Sequence, residues 1–321
     1  MPASDEVQLR LEACGVCHTD LHIQSGDEPL GEDDLPLVLG HEGIGRVTAV
    51  GRAVEGIDLG DRVAVPWLHD TCLSCRDCTT GHESICADQR AHGMHVNGAF
   101  AEYACIKSAF AAHVPASLDA VQAAPLLCAG LTAFGAVRKA ALTPGQRCAI
   151  FCCGGLGQYG IRLAKLFGAY VIAVDRDPVK LKVAKTLGAD EMVLAHKSAG
   201  DALREGGGTD ACLNFAPTSQ VWPAIETSLN PRGRVVSVSM PKDRAALSLT
   251  WLTYITPIIT GSSVGGRQDL RDILELATQH DLTIPVEAIR LEDVNDALDR
   301  LAGKPGTAAV EGRLVIDFAR E

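Results

Sequence analysis

The run Cys148-Ala-Ile-Phe-Cys152-Cys153-Gly154-Gly155-Leu156-Gly157-Gln158-Tyr159-Gly160 decides the fold. Its apolar start reads as a buried strand and its glycines as a tight turn. Ile161, Leu163, Ala164, Leu166 and Phe167 then carry a helical pattern. A glycine turn at a helix N-terminus presents unpaired N–H groups and the positive end of the helix dipole, a cradle for a pyrophosphate. Two registers are open. One uses Gly155, Gly157 and Gly160; the other begins directly after the strand and puts Cys152 at the first glycine position. Asp175 ends the next apolar run about 20 residues on, where a carboxylate accepts hydrogen bonds from the ribose hydroxyls of a dinucleotide. The same charge repels a 2′-phosphate, so NAD is favoured, while the neighbouring Arg176 leaves NADP as the alternative.

Outward from this loop, apolar runs alternate with helical segments from about Thr143-Pro-Gly145 onward, as a parallel sheet with crossover helices requires. The predicted strands are Cys148–Cys153, Tyr170–Asp175, Glu191–Leu194, Ala211–Phe215, Arg234–Val238 and Ile258–Gly261, enough for a doubly wound α/β sheet. Before residue 127 the pattern differs: short β-rich segments such as Gly45–Gly51 and Asp61–Val65 sit between glycine turns. Beyond Gly265, a helix carrying Leu270, Ile273, Leu274 and Ala277 and a strand at Gly312–Phe318 are expected to return to that first domain. The organisation expected is 1–127, 128–262 and 263–321, with the dinucleotide domain inserted. The uncharged stretch Ala245–Gly266 is broken by Pro257 and polar residues, so it reads as buried strand and interface rather than a membrane span.

A net charge of −11 argues against nucleic-acid and anionic-membrane partners, which select clustered Lys and Arg. The N-terminus has no basic start and no apolar run of a secretory signal, which points to the cytoplasm. In that reducing setting the 12 cysteines are more readily metal ligands than disulfides. Cys72, Cys75, Cys78 and Cys86 fall in one excursion that can wrap four sulfurs around an ion. An iron–sulfur cluster is the alternative, but seven residues separate Cys78 from Cys86 where the ferredoxin run has three, so zinc is favoured. Cys14, Cys105, Cys148, Cys153 and Cys212 read as buried apolar thiols.

Three further pieces, Cys17-His-Thr-Asp20, Gly40-His-Glu-Gly43 and Leu127-Cys-Ala-Gly130, supply two thiolates and an imidazole, the set for a zinc with one open position. With the four-cysteine lobe and Gly154-Gly155-Leu156-Gly157, they occur in the order found in zinc-dependent medium-chain alcohol dehydrogenases, and the chain resembles that family over nearly its whole length. The resemblance implies a β-rich GroES-like catalytic domain with an inserted Rossmann domain, two zinc ions and NAD(H). It implies an oxidoreductase that moves a hydride reversibly between an alcohol and NAD+, as a homodimer or homotetramer. By resemblance Cys17, His41 and Cys128 hold a catalytic zinc and the later four cysteines a structural one, with Asp20 and Glu42 supporting or exchanging with ligands. Thr19 then hydrogen-bonds the alcohol and His22 ends a proton relay. His18 and Arg267 meet the pyrophosphate, and Trp67 lines the substrate pocket.

A polyol or hydroxy-acid dehydrogenase of the same family, or a zinc- and dinucleotide-binding protein without catalysis, are the competing readings; retention of Cys17, Thr19, His41 and Cys128 speaks against the last. Two departures from the family stand out. Cys17 arrives early, so either an upstream segment is missing or a shortened domain leaves an open sheet edge. Cys152 occupies a glycine position, and Cys152→Gly is expected to lower KM for NAD.

Overall fold

The computed structural model describes residues 1–27, 30, 31 and 34–320. Its strands, in chain order, are β1 (Glu6–Val16), β2 (Gly43–Val50), β3 (Arg62–Val65), β4 (Leu68–Asp70), β5 (Arg90–Ala91), β6 (Tyr103–Lys107), β7 (Ala112–His113), β8 (Arg147–Phe151), β9 (Tyr170–Asp175), β10 (Glu191–Leu194), β11 (Thr209–Asn214), β12 (Leu229–Ser237), β13 (Ile258–Gly261), β14 (Val286–Ile289) and β15 (Arg313–Asp317). They divide between two units. Residues Met1–Leu131 and Val264–Glu321 form the first, and Thr132–Ser263 the second. The boundaries differ from the expected 127/128 and 262/263, and the difference matters at one residue: Cys128 belongs to the same unit as Cys17 and His41.

The first unit is built on a seven-stranded sheet with path β14-β15-β1-β2-β3-β7 and β6 paired alongside β1. β1 explains its own central position. Val7, Leu9 and Leu11 are buried and alternate with more exposed residues, the period of a strand with one wet face. After Glu12 the alternation stops, and Ala13–Val16 are buried on both faces where β1 pairs with β15 and β2. The strand therefore delivers Cys17 into the interior. It is not an edge; the path ends at β14 and β7.

The second unit is a six-stranded sheet, β10-β9-β8-β11-β12-β13, in which every neighbouring pair is parallel. Counted from β8 this is the 3-2-1-4-5-6 order of the Rossmann fold, so the chain is a GroES-like β domain with an inserted doubly wound α/β domain. Strands buried on both faces read as continuous apolar runs, and Cys148–Phe151 and Val171–Val174 are at most 1% exposed. The helix Gly155–Leu166 lays Tyr159, Ile161, Leu163 and Ala164 on this core.

One expectation is corrected. Most of the stretch Ala245–Gly266 is not buried within the chain: it forms a helix at Leu249–Ile255 and the edge strand β13, with Leu249 78% and Tyr254 80% exposed, and only Ser262, Gly265 and Gly266 are buried. Lack of charge marked an uncovered edge here, not a core. Cys105 is half-buried rather than buried, whereas Cys14, Cys148, Cys153 and Cys212 are fully enclosed. Among the described residues no single helix is long and apolar enough to cross a membrane.

Candidate metal centres and glycine loop

Cys17 caps the helix His18–Gln24 in extended conformation, His41 precedes β2, and Cys128 sits at the kink before the helix Ala129–Ala140. Folding brings these distant positions together. Potential ligand atoms of Cys17, His41, Glu42 and Cys128 all lie within 4.8 Å of one another, in a wholly buried cluster. Thiol donation from Cys128 and the nearby His41 hold Cys17 well below the usual thiol range. Burial opposes charge on His41, but the Asp20 carboxylate, with Oδ1 3.4 Å from Nδ1, and Cys17 together outweigh it and raise the imidazole.

Asp20 is itself fixed, accepting from the N–H of Cys17 at 2.8 Å and of Gly40 at 3.0 Å. Glu42 is fully buried and accepts Arg313 Nη2 on both oxygens at 2.6 Å; that guanidinium also donates to the Val16 carbonyl at 3.0 Å. Burial pushes the Glu42 carboxyl up to about 7 despite the arginine.

The residues fit a metal. Nδ1 of the completely buried His41 faces Asp20, but Nε2 makes no hydrogen bond, an arrangement that costs about 1–3 kcal/mol unless something takes its lone pair. Two sulfurs and an imidazole are a donor set for zinc and a poor one for magnesium or calcium.

Around the cluster, Thr19 Oγ1 lies 3.7 Å from Cys17 Sγ. His22 stands one helical turn further along the same helix, is 45% exposed, and bonds Asp27 Oδ2 through Nδ1 at 2.9 Å. His18 is exposed on that helix. The Trp67 ring meets the His41 ring edge-on at 5.1 Å. Thr19, Asp20, Glu42 and Trp67 are thus brought to the cluster, and His22 toward solvent.

The four later cysteines are gathered by a single excursion between β4 and β5, strands that pair with each other. Sulfur separations are 3.6 Å for Cys72–Cys86 and 3.9 Å for Cys72–Cys78 and Cys75–Cys86. A tetrahedron with zinc–sulfur bonds of about 2.3 Å has edges of about 3.8 Å, whereas a disulfide needs about 2.05 Å. The lobe therefore has the dimensions of a tetrathiolate site. Backbone N–H groups of Ser74 and Cys75 hold the Cys72 thiol down to about 6.

Arg267 is tied to the four-cysteine lobe. Its Nε donates to Glu83 of the lobe at 2.8 Å, Nη2 also bonds Glu83, and Nη1 reaches the Ala109 carbonyl at 3.0 Å, while the guanidinium stacks on Phe110. Arg267 thus fastens the lobe in this structure.

In the second unit the glycine loop resolves the open register. Cys152 has φ +73°, a left-handed conformation that favours glycine, and Gly157 packs so closely that a Cβ there would lie 2.0 Å from the Cys152 carbonyl oxygen. The turn is therefore Cys152-x-Gly154-x-x-Gly157. Gly154 caps the helix, and a Cβ on it would meet only Cys152 Sγ at 3.9 Å, so its outer face is open to a ligand. Gly155, Leu156 and Gly157 form the first helical turn, whose N–H groups lack intrahelical partners. This cradle fits a pyrophosphate. Asp175 is 5% exposed and accepts from Cys153 N–H at 2.7 Å and Asp177 N–H at 2.9 Å. It clamps the loop, and each oxygen keeps a second lone pair for a ribose hydroxyl.

Sequence reasoning missed Arg313, Glu83 and Asp27. Arg313 had a signal: a single charge in the otherwise apolar strand Gly312-Arg-Leu-Val-Ile. Glu83 and Asp27 had none beyond proximity to named residues.

The comparisons with known proteins agree with this geometry. The alcohol dehydrogenase GroES-like domain matches residues 3–116 and the zinc-binding dehydrogenase domain residues 155–279. An alcohol dehydrogenase of Geobacillus stearothermophilus is 36% identical over 98% of this chain and 92% of its own length. Among solved structures, the alcohol dehydrogenase of the archaeon Aeropyrum pernix superposes with TM-score 0.87 at 31% identity, covering 98% of this chain and 93% of that one. A structure described as an NAD-dependent alcohol dehydrogenase does so with TM-score 0.88 at 29% identity, covering 99% and 93%. A buried thiolate–imidazole cluster, a tetrathiolate lobe and an inserted Rossmann domain, matched over nearly the full length, make this chain a member of the zinc-dependent medium-chain alcohol dehydrogenase family.

Proposed function

We propose that this alcohol oxidoreductase uses zinc and NAD+ to oxidise primary or simple secondary alcohols, reversibly, to aldehydes or ketones. The observation that carries the reading is the fully buried His41, whose Nε2 makes no hydrogen bond, beside two thiols. Zinc held by Cys17, His41 and Cys128 supplies a Lewis acid that eases loss of the alcohol proton, and NAD+ supplies the hydride acceptor.

The chain's own residues do the rest. Thr19 Oγ1 hydrogen-bonds the alcohol oxygen and His22, half in solvent, carries the proton to water. Asp20 orients His41, the Glu42–Arg313 pair sets the field beneath the cluster, and Trp67 walls the pocket. Gly154, Gly155, Leu156 and Gly157 offer N–H groups to the pyrophosphate and Asp175 accepts from the ribose, with His18 as a further phosphate contact. A second zinc in the four-cysteine lobe stabilises the fold.

The uncovered helix Leu249–Ile255 and edge strand β13 support assembly into a homodimer or homotetramer, and 12 free thiols suit the cytoplasm. The test combines zinc analysis with NADH formation over a panel of simple alcohols, polyols and hydroxy acids, with and without a chelator. Two zinc ions per chain and chelator-sensitive oxidation of simple alcohols are expected. Complete inactivity of metal-replete protein would sink the reading, and preference for polyols would redirect it.

A further inference from the structure

His22 is tied twice to Asp27. The helix His18–Gln24 ends in a turn through Ser25 and Gly26, after which the Asp27 N–H donates to the His22 carbonyl at 2.9 Å. The Asp27 carboxylate also reaches the imidazole, with Oδ2 2.9 Å from Nδ1. A carboxylate only accepts, so the proton of that bond sits on Nδ1, and the neutral ring then carries its lone pair on Nε2.

We propose that Asp27 is a positioning residue for the proton path, holding His22 in the tautomer whose Nε2 receives the proton; this rests on the reading of His22 as the outer end of that path. A proton arriving at Nε2 creates an imidazolium whose charge Asp27 faces directly. His22 also lies in the last turn of its helix, where the dipole favours a cation. The proton then leaves Nε2 for water, which the 45% exposure of the ring permits, and the starting tautomer is restored with no net change in the pair. Without Asp27 the ring is free to place its proton on Nε2, the wrong atom to accept another.

The tautomer can be read independently of activity, from ring nitrogen shifts in two-dimensional NMR of the zinc-replete protein labelled with 15N-histidine. Wild type is expected to show His22 protonated on Nδ1, Asp27→Asn to keep that tautomer through its amide oxygen, and Asp27→Ala to lose it. In parallel, kcat for ethanol oxidation is expected to fall about threefold to tenfold in Asp27→Ala with KM little changed, part of the roughly 10²-fold or more that a general base supplies, and to recover in Asp27→Asn. An Nε2-protonated His22 in wild type, or an unaltered tautomer in Asp27→Ala, overturns the proposal. Slow turnover in His22→Asn with full-speed turnover in Asp27→Ala overturns Asp27's role alone. Full-speed turnover in His22→Asn instead overturns the proton path beneath it.

Discussion

The four-cysteine lobe and the buried Cys17–His41–Cys128 cluster both gather sulfur, yet they are built in opposite ways. The lobe comes from one excursion, stays partly exposed, and sets its sulfurs 3.6–3.9 Å apart with backbone N–H groups donating to them. The cluster is drawn from three distant places, is fully buried, and is surrounded by charge: Asp20, Glu42 and Arg313 are all enclosed. A closed set of four thiolates leaves a metal nothing to do but hold the chain. Three ligands backed by buried charges leave a position open and tune it. The difference teaches that ligand count and surroundings, rather than the presence of cysteine, separate a structural site from a chemical one.

The comparison breaks if the two sites respond alike to loss of a ligand, and here the largest effect is expected. His41→Ala should remove one zinc and lower kcat/KM for ethanol on the order of 10³-fold or more at temperatures where the variant is still folded, with a smaller fall in melting temperature than Cys75→Ser. Cys75→Ser should also remove one zinc, but by opening the lobe, so its melting temperature falls first and activity is lost in step with unfolding. Zinc content, thermal scans and initial rates on both variants decide the matter. Equal loss of melting temperature would erase the distinction.

Next in size is the buried charge beneath the cluster. Arg313→Met leaves Glu42 enclosed without a partner, and removal of one member of such a pair costs roughly 3–5 kcal/mol. The double variant Arg313→Met with Glu42→Gln should recover much of that loss in chemical denaturation. The lobe's counterpart is the Glu83–Arg267 pair, whose arginine is partly exposed, so breaking it should cost less.

These contrasts also explain what could be read from the sequence. The lobe was legible because its four ligands lie in one short run, and the Rossmann strands because doubly buried strands are unbroken apolar runs. Arg313 was not, since its partner Glu42 is 271 positions away and only the sheet's register brings β15 against β1. The Arg267–Glu83 pair was hidden for the same reason: its members lie 184 positions apart. The burial expected for Ala245–Gly266 was misread because an uncharged composition does not distinguish a core strand from an uncovered edge.

A smaller effect is expected where lobe and cluster meet. His92, just after β5 at the base of the lobe, is fully buried; its Nδ1 donates to the Pro66 carbonyl at 2.8 Å and its Nε2 accepts from His69 at 3.1 Å. Its N–H also holds the carbonyl of Trp67, the residue against His41. Burial pushes the His92 imidazole down to about 3. Above a pH of about 6.5 neither folded nor unfolded chain protonates it; between there and about 3 only the unfolded chain does, so stability falls with pH by up to about 1.4 kcal/mol per unit. His92→Asn keeps a donor for Pro66 and removes the titration. Its loss of stability between about pH 7.5 and about pH 5.5 should be smaller than wild type's by about 1 kcal/mol in urea titrations. An identical loss would show that acid acts through the thiolate clusters alone.

The smallest effect carries the comparison to the glycine loop, which is local like the lobe yet serves chemistry like the cluster. Cys152 holds φ +73° in a turn where Gly157 has no room for a side chain, and a left-handed conformation costs an L-residue about 1–2 kcal/mol. Glycine removes that strain but returns about 0.5–1 kcal/mol through the freedom of the unfolded chain, leaving a net gain of up to about 1 kcal/mol. The thiol matters separately, because Sγ leans to within 3.9 Å of where a Gly154 Cβ would stand, over the face open to a pyrophosphate. Cys152→Gly should therefore raise the melting temperature slightly and tighten NAD, lowering KM about twofold to fivefold, the equivalent of about 0.4–1 kcal/mol. The two readouts separate the causes: a higher melting temperature with unchanged KM assigns the cost of Cys152 to backbone strain, whereas a lower KM at constant melting temperature assigns it to the thiol.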